Sequence, residues 1–327
     1  MVDTKAEVLM PAPKQPILEG LEKAFTVHKL WEASDRETFL NEIAPRVRAI
    51  ASPGGPNPKV DAALMSRLPN LEIVASFGVG YDHVDAKWAG EHGVVVTNTP
   101  DVLTEEVADT ALGLLLCTVR EFPQAERYVR AGKFAEKNYP LSKASMRDRT
   151  VGIVGLGRIG KAIARRLDAM SVPVVYCGRT RQPDVAYRHY PNLTEMARAV
   201  DVLLVITPGG PETRNMINAE VLEALGPNGI LINMSRGSVV DEDALIKALR
   251  EKKILSAGLD VYAKEPHVPR ELLEMDHIVL FPHLGSASVQ TRRAMDQLVV
   301  DNLLAWGAGK PALTPVPEAP WPPARRK

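Results

Sequence analysis

Arg149-Thr150-Val151-Gly152-Ile153-Val154-Gly155-Leu156-Gly157-Arg158-Ile159-Gly160-Lys161-Ala162-Ile163-Ala164-Arg165-Arg166-Leu167 is the stretch that decides the fold. A β-branched run passes directly into Gly-x-Gly-x-x-Gly and then into a helical repeat, the context a dinucleotide-binding fingerprint requires. Gly155 permits the tight turn, Gly157 lets the backbone approach a pyrophosphate, and Gly160 lets the helix pack closely on its strand. The helix N-terminus then supplies amide donors and a partial positive charge. A bare glycine pattern also ends ordinary strands; here the strand before, the helix after and a second strand at the right distance select the dinucleotide reading.

That second strand, Pro173-Val174-Val175-Tyr176-Cys177, ends in Gly178-Arg179-Thr180-Arg181. An NAD site places an acidic residue here, about 20 positions beyond the glycines, to hold the ribose 2′-hydroxyl. A carboxylate would repel a 2′-phosphate, whereas Arg179 can form charge-assisted bonds to it and Thr180 adds a hydroxyl. The sequence therefore predicts NADP(H), with NAD(H) as the weaker alternative; the bland alternative is a pair of solvated surface arginines.

Further out, short apolar runs alternate with helical patterns: residues 48–51, 73–76, 94–97, 150–154, 173–177, 202–206, 230–234, 256–259 and 278–281. Such alternation implies βαβ units and parallel sheets. A chain of 327 residues exceeds what one core holds, ~250–300 residues. The expectation is an α/β protein of two Rossmann-like or flavodoxin-like parallel-sheet domains with the active site in the cleft between them. Residues 1–99 plus 288–327 form the substrate-binding domain and residues 100–287 the NAD(P)-binding domain. A long apolar helix starting at Thr104 is expected to be buried between the lobes, and a second, from Ser288 to Trp306, carries the chain back. Residues 121–149 read as a polar, irregular arm, and the proline-rich tail from Pro311 as an extended strap or a disordered end.

Forty basic residues balance forty acidic ones, so no net field draws the chain to nucleic acid or an anionic membrane. No stretch approaches the ~18 apolar residues of a membrane span, and the N-terminus lacks a signal-peptide pattern. Cys117 and Cys177 both sit in apolar runs, as buried thiols of a reducing compartment do. The expected location is the cytoplasm. No H-E-x-x-H or C-x-x-C spacing occurs, so no metal site is expected.

Three further segments each follow a strand: Asn233-Met234-Ser235-Arg236-Gly237, Asp260-Val261-Tyr262 with Glu265-Pro266, and Pro282-His283-Leu284-Gly285-Ser286. In an open parallel sheet the carboxyl ends of strands face the ligand crevice, so these residues can converge. Reducing a 2-keto acid needs a cation for the carboxylate and carbonyl, a proton donor near neutral pH, and a partner that orients the donor. Arginine, histidine and a carboxylate meet those needs. Singly, Arg236, Glu265 and His283 each read as readily as a turn arginine, an exposed carboxylate and a core histidine. His28, His83, His92, His189, His267 and His277 have no comparable surroundings.

The three segments resemble the signatures of the D-isomer-specific 2-hydroxyacid dehydrogenases. Pro100-Asp101-Val102-Leu103-Thr104 and the glycine loop resemble the glyoxylate/hydroxypyruvate reductases of that family, and the likeness runs from about Leu71 to Ala294. The resemblance implies that Arg236 clamps substrate, His283 is the acid/base and Glu265 its partner. It places the backbone of Val79 and Gly80, in Ser76-Phe77-Gly78-Val79-Gly80-Tyr81-Asp82, at the substrate carboxylate as an anion nest. It assigns Asp260 to the nicotinamide carboxamide, and Thr104, Thr207, Pro208, Thr213, Met234, Ser235, Gly285 and Ser286 to the cofactor side with His283. It also implies a homodimer and NADPH-preferring reduction of small 2-keto acids such as glyoxylate and hydroxypyruvate.

The loop Ser52-Pro53-Gly54-Gly55-Pro56 departs from the many relatives with a bulky apolar residue there; Gly54 either leaves room for a larger keto acid or serves turn geometry alone. Phosphoglycerate, formate and phosphite dehydrogenases share the fold, although no appended regulatory domain is seen. So do the C-terminal-binding-protein corepressors, which sense cofactor as interaction proteins.

Overall fold

The structure, a computed structural model, describes residues 5–55 and 58–323. The outermost residues of the expected substrate-binding domain, and Pro56 of its glycine loop, lie outside the described residues. The chain divides into two compact units, Met1–Leu103 with Val289–Lys327, and Thr104–Ser288.

The smaller unit holds β1 (Glu7–Met10), β2 (Thr26–Lys29), β3 (Val47–Ser52), β4 (Ile73–Ser76) and β5 (Val95–Thr97), all parallel in the order β2-β1-β3-β4-β5. This is the flavodoxin-like order. Its inner strands are largely buried because both faces are covered: every residue of β4 is buried, and in β3 only Arg48 is exposed. Helix Val289–Gly307 returns the chain here, where Trp306 stacks on Phe25 and donates to Glu72. The described part of the proline-rich tail is a strap. Val316 N–H donates to the Val96 carbonyl, Val96 N–H to the Ala319 carbonyl, and Pro315 bridges Thr97 antiparallel, so the edge strand β5 is covered.

In the larger unit β6 (Val151–Val154), β7 (Val174–Cys177), β8 (Arg188–Tyr190), β9 (Val202–Val205), β10 (Ile230–Asn233), β11 (Ser256–Leu259) and β12 (Val279–Leu280) are parallel, ordered β12-β11-β10-β9-β6-β7-β8. The chain winds outward from β6 to β8, then crosses back to β9. The order therefore reverses between β6 and β9, the switch point beside which ligands bind in such sheets. Helix Thr104–Arg120 packs on β10, β11 and helix Arg158–Ala169, and its Glu105 pairs with Arg165 and Arg166.

Three strands were not anticipated. β1 is a four-residue run behind a polar terminus, and β2 and β8 are edge strands, Thr-Val-His-Lys and Arg-His-Tyr, in which solvent permits polar side chains. The arm expected to be irregular contains helix Phe122–Arg130 and a 3-10 turn, Lys133–Ala135. The helix carries Phe122, Ala125, Tyr128 and Val129 at helical spacing yet buries none of its own residues, leaving Phe122 and Val129 exposed. Both cysteines are free, and burial pushes both thiols up. No helix of the described residues is long and apolar enough to cross a membrane.

Candidate active site

The glycine loop leaves β6 at the switch point. Gly155 has φ +98°, and a Cβ there would lie 3.0 Å from the Thr207 backbone. At Gly160 a Cβ would lie 2.3 Å from the Gly155 carbonyl oxygen, so glycine alone lets the helix start against its strand. Gly157 differs: an added Cβ would meet nothing within 4 Å, and no side chain caps the 12-residue helix that begins at Arg158. Uncapped amides beside open space fit a pyrophosphate. Leu156 is buried and presents only its backbone, and its carbonyl accepts from Gln182, which the sequence reading missed. Ile159 is half-buried in the first helical turn.

Beside this loop, Ser235 Oγ donates to the Thr207 carbonyl at 2.6 Å, and Thr213 Oγ1 to the Pro208 carbonyl at 2.7 Å. The first bond joins the loops after β9 and β10, and the second lies within the loop after β9. Met234 is buried against Gly285, whose carbonyl accepts from Thr110, while Ser286 is half-buried. Thr104 opens its helix, half-buried. After β7, Gly178 takes a bond from His189 through its carbonyl, and Arg179 and Thr180 are exposed. The Arg179 guanidinium stands 3.7 Å from the Glu212 carboxylate.

Arg236, Glu265 and His283, distant in sequence, are knit together by their loops. Asn233 caps the Arg236 turn at both ends: its Oδ1 accepts from the Ser235 amide and its Nδ2 donates to the Arg236 carbonyl. A Cβ on Gly237 would fall 1.9 Å from the Tyr262 carbonyl carbon, so this turn lies directly on the loop after β11. In that loop Glu265 Oε1 accepts from the Tyr262 amide at 3.1 Å, and Oε2 meets His283 Nδ1 at 2.7 Å. Tyr262 is buried, and its hydroxyl donates to the Phe281 carbonyl at 2.8 Å. Only its place among apolar neighbours could have marked it as a brace.

Asp260 completes the clasp. It is 2% exposed, and its two oxygens accept from the amides of Leu284 (2.5 Å) and Gly285 (2.9 Å). These bonds hold His283 at φ +56°, a left-handed conformation uncommon for a non-glycine residue. Burial pushes the Asp260 carboxyl up, against the two amides and His283. Burial also pushes Glu265 up, but the His283 bond and charge, the Tyr262 amide and the Arg236 charge outweigh it, and the carboxyl lies below its ordinary value. Through Nδ1 the imidazole is oriented, and Nε2 is left for proton exchange.

On the smaller unit, Val79 and Gly80 lie in the turn after β4. Gly78 N–H donates to Thr99 Oγ1 at 2.9 Å, Thr99 N–H returns to the Gly78 carbonyl, and Asn98 Nδ2 donates to the Val79 carbonyl at 2.9 Å. The turn's carbonyls are thus occupied, which leaves amides to serve an anion. Gly54 has φ +82°, and a Cβ would lie 2.5 Å from the Phe77 carbonyl oxygen, so backbone geometry by itself demands glycine there. At Gly55, φ +87°, a Cβ would meet nothing within 4 Å.

Known proteins resemble this chain along most of its length. The family model for the D-isomer specific 2-hydroxyacid dehydrogenase NAD binding domain matches residues 112–285. A glyoxylate/hydroxypyruvate reductase A of Arabidopsis thaliana is 47% identical over 310 residues, 94% of this chain and 98% of that protein. A hydroxyphenylpyruvate reductase of Plectranthus scutellarioides is 45% identical over 310 residues, again 94% and 98%. Among solved structures, an NADPH-dependent glyoxylate/hydroxypyruvate reductase of Sinorhizobium meliloti, in complex with NADP and malonate, has a TM-score of 0.90 at 48% identity and covers 99% of both chains. With matches of this extent, the chain belongs to the D-isomer specific 2-hydroxyacid dehydrogenase family.

Proposed function

We propose that this dehydrogenase reduces small 2-keto acids, glyoxylate and hydroxypyruvate among them, to D-2-hydroxy acids, with NADPH preferred over NADH. The observation that carries the reading is the 2.7 Å bond between Glu265 and His283 Nδ1, with Arg236 near enough to bias the same carboxylate. A bound nicotinamide supplies the hydride. His283 donates the proton to the carbonyl oxygen through Nε2 while Glu265 stabilises the imidazolium, and Arg236 binds the substrate carboxylate and polarises the carbonyl. On the smaller unit, the amides of Val79 and Gly80 are offered to a substrate carboxylate. Asp260 holds the His283 loop, and its remaining lone pairs are available to a carboxamide.

The glycine loop and Thr207 would hold the dinucleotide, and the basic end of β7 with no acidic residue of its own supports the NADPH preference. Exposed Phe122, Val129, Phe134 and Leu141, 46–95% accessible, support pairing of this arm with a second copy in a homodimer. Two free thiols suit the cytoplasm.

The test is a panel of 2-keto acids assayed with NADPH and with NADH. Turnover of glyoxylate and hydroxypyruvate with a higher kcat/KM for NADPH is expected. Cofactor binding without turnover of any keto acid would overturn the reading.

A further inference from the structure

The dinucleotide loop leaves β6, and the neighbours of β6 in the sheet are β7 on one side and β9 on the other. Arg179 belongs to the loop after β7. Glu212 belongs to the 3-10 turn Pro211–Thr213 after β9, which Thr213 fastens back onto the Pro208 carbonyl. The guanidinium and the carboxylate nevertheless stand 3.7 Å apart. Their contact therefore spans the glycine loop, bridging the strands on both sides of the place where an adenosine ribose would lie.

From this juxtaposition we propose that Glu212 is a specificity-determining residue that competes with the cofactor's 2′-phosphate for Arg179. The inference rests on the proposed NADPH preference and deepens it. A 2′-phosphate approaching Arg179 meets a guanidinium already engaged by an anion, so forming the phosphate bond requires the Glu212 contact to be given up. A ribose bearing only a 2′-hydroxyl makes no such demand and leaves the pair in place. Glu212 accordingly lowers the discrimination that Arg179 generates. Both side chains are exposed, 91% and 83%, so the pair is screened by salt and the effect is small.

The experiment measures binding of adenosine 2′,5′-bisphosphate and of AMP to the full-length protein by calorimetry, in wild type, Glu212→Gln, Arg179→Gln and the double variant. The readout is the ratio of the two affinities, so it needs no turnover, and substitutions at exposed positions are expected to leave the fold intact. Glu212→Gln should raise the ratio about two- to fivefold at low salt, the span that exposed ion pairs cover. The gain should shrink at 1 M salt and disappear in the Arg179→Gln background. A ratio that depends on Arg179 but not on Glu212, or a Glu212 effect that persists without Arg179, would overturn this inference alone. A ratio insensitive to Arg179 would overturn it together with the NADPH preference.

Discussion

Two Glu–cation pairs in the larger unit invite comparison. Glu265 and His283 meet at 2.7 Å with side chains 27% and 46% exposed, and every backbone segment around them is fastened by Asn233, Tyr262 or Asp260. Glu212 and Arg179 meet at 3.7 Å with both side chains in water, although His189 and Gln182 fasten the backbone on either side of Arg179. The same charge chemistry thus appears once as a fixed instrument and once as an adjustable contact. Proton transfer requires a donor held in one orientation, because misplacement by a fraction of an ångström is costly. Selecting between two cofactors requires only a bias, and an exposed arginine supplies it.

If that contrast is real, effects of substitution should descend from one pair to the other. The largest belongs to His283→Asn. Asparagine tolerates a positive φ, so the backbone at +56° is expected to persist and the loss reports the imidazole. Removal of a general acid should lower kcat about 10²–10⁴-fold in steady-state assays of glyoxylate reduction; a loss under tenfold would break the comparison at its stronger end.

Asp260→Asn comes next, since it touches the fastening and not the donor. Asparagine offers one acceptor where two amides need acceptors, so one buried N–H loses its partner at a cost of about 1–3 kcal/mol. A lower urea midpoint together with a kcat reduced about tenfold is expected. Unchanged stability would mean that the clasp does not hold the loop.

Arg179→Gln should have the smallest effect. Loss of one exposed charge-assisted bond to a phosphate should raise the KM for NADPH about tenfold while leaving kcat much less affected. An effect on kcat as large as that of His283→Asn would erase the distinction between the pairs.

Legibility in the sequence follows the same division between local and distant. The glycine loop could be read because strand, turn and helix are contiguous, and Arg236, Glu265 and His283 because each follows an apolar strand and resembles a family signature. What supports them could not. Thr99 and Asn98 hold the Gly78–Val79 backbone from 21 and 19 residues away, and Gln182 ties the β7 loop to Leu156 from 26. Nothing local distinguishes such side chains from surface residues. Likewise β2 and β8 are edge strands whose polar residues satisfy no two-residue alternation strong enough to read. The contact of Arg179 with Glu212 exists only because the sheet order places β7 and β9 on either side of β6.

The central claim is that Glu265 and His283 act as one unit, and the pH dependence of kcat/KM for glyoxylate reduction in wild type and Glu265→Gln tests it most directly. Glu265 is held below the ordinary carboxylate value, so a carboxylate faces His283 Nδ1 through the neutral range and is lost as pH falls through that lowered value. In Glu265→Gln no carboxyl remains to titrate beside Nδ1, so the acid limb should disappear and kcat/KM should lie low across the whole range. An acid limb that persists unchanged in Glu265→Gln would contradict the pairing, even if the variant were slow for another reason.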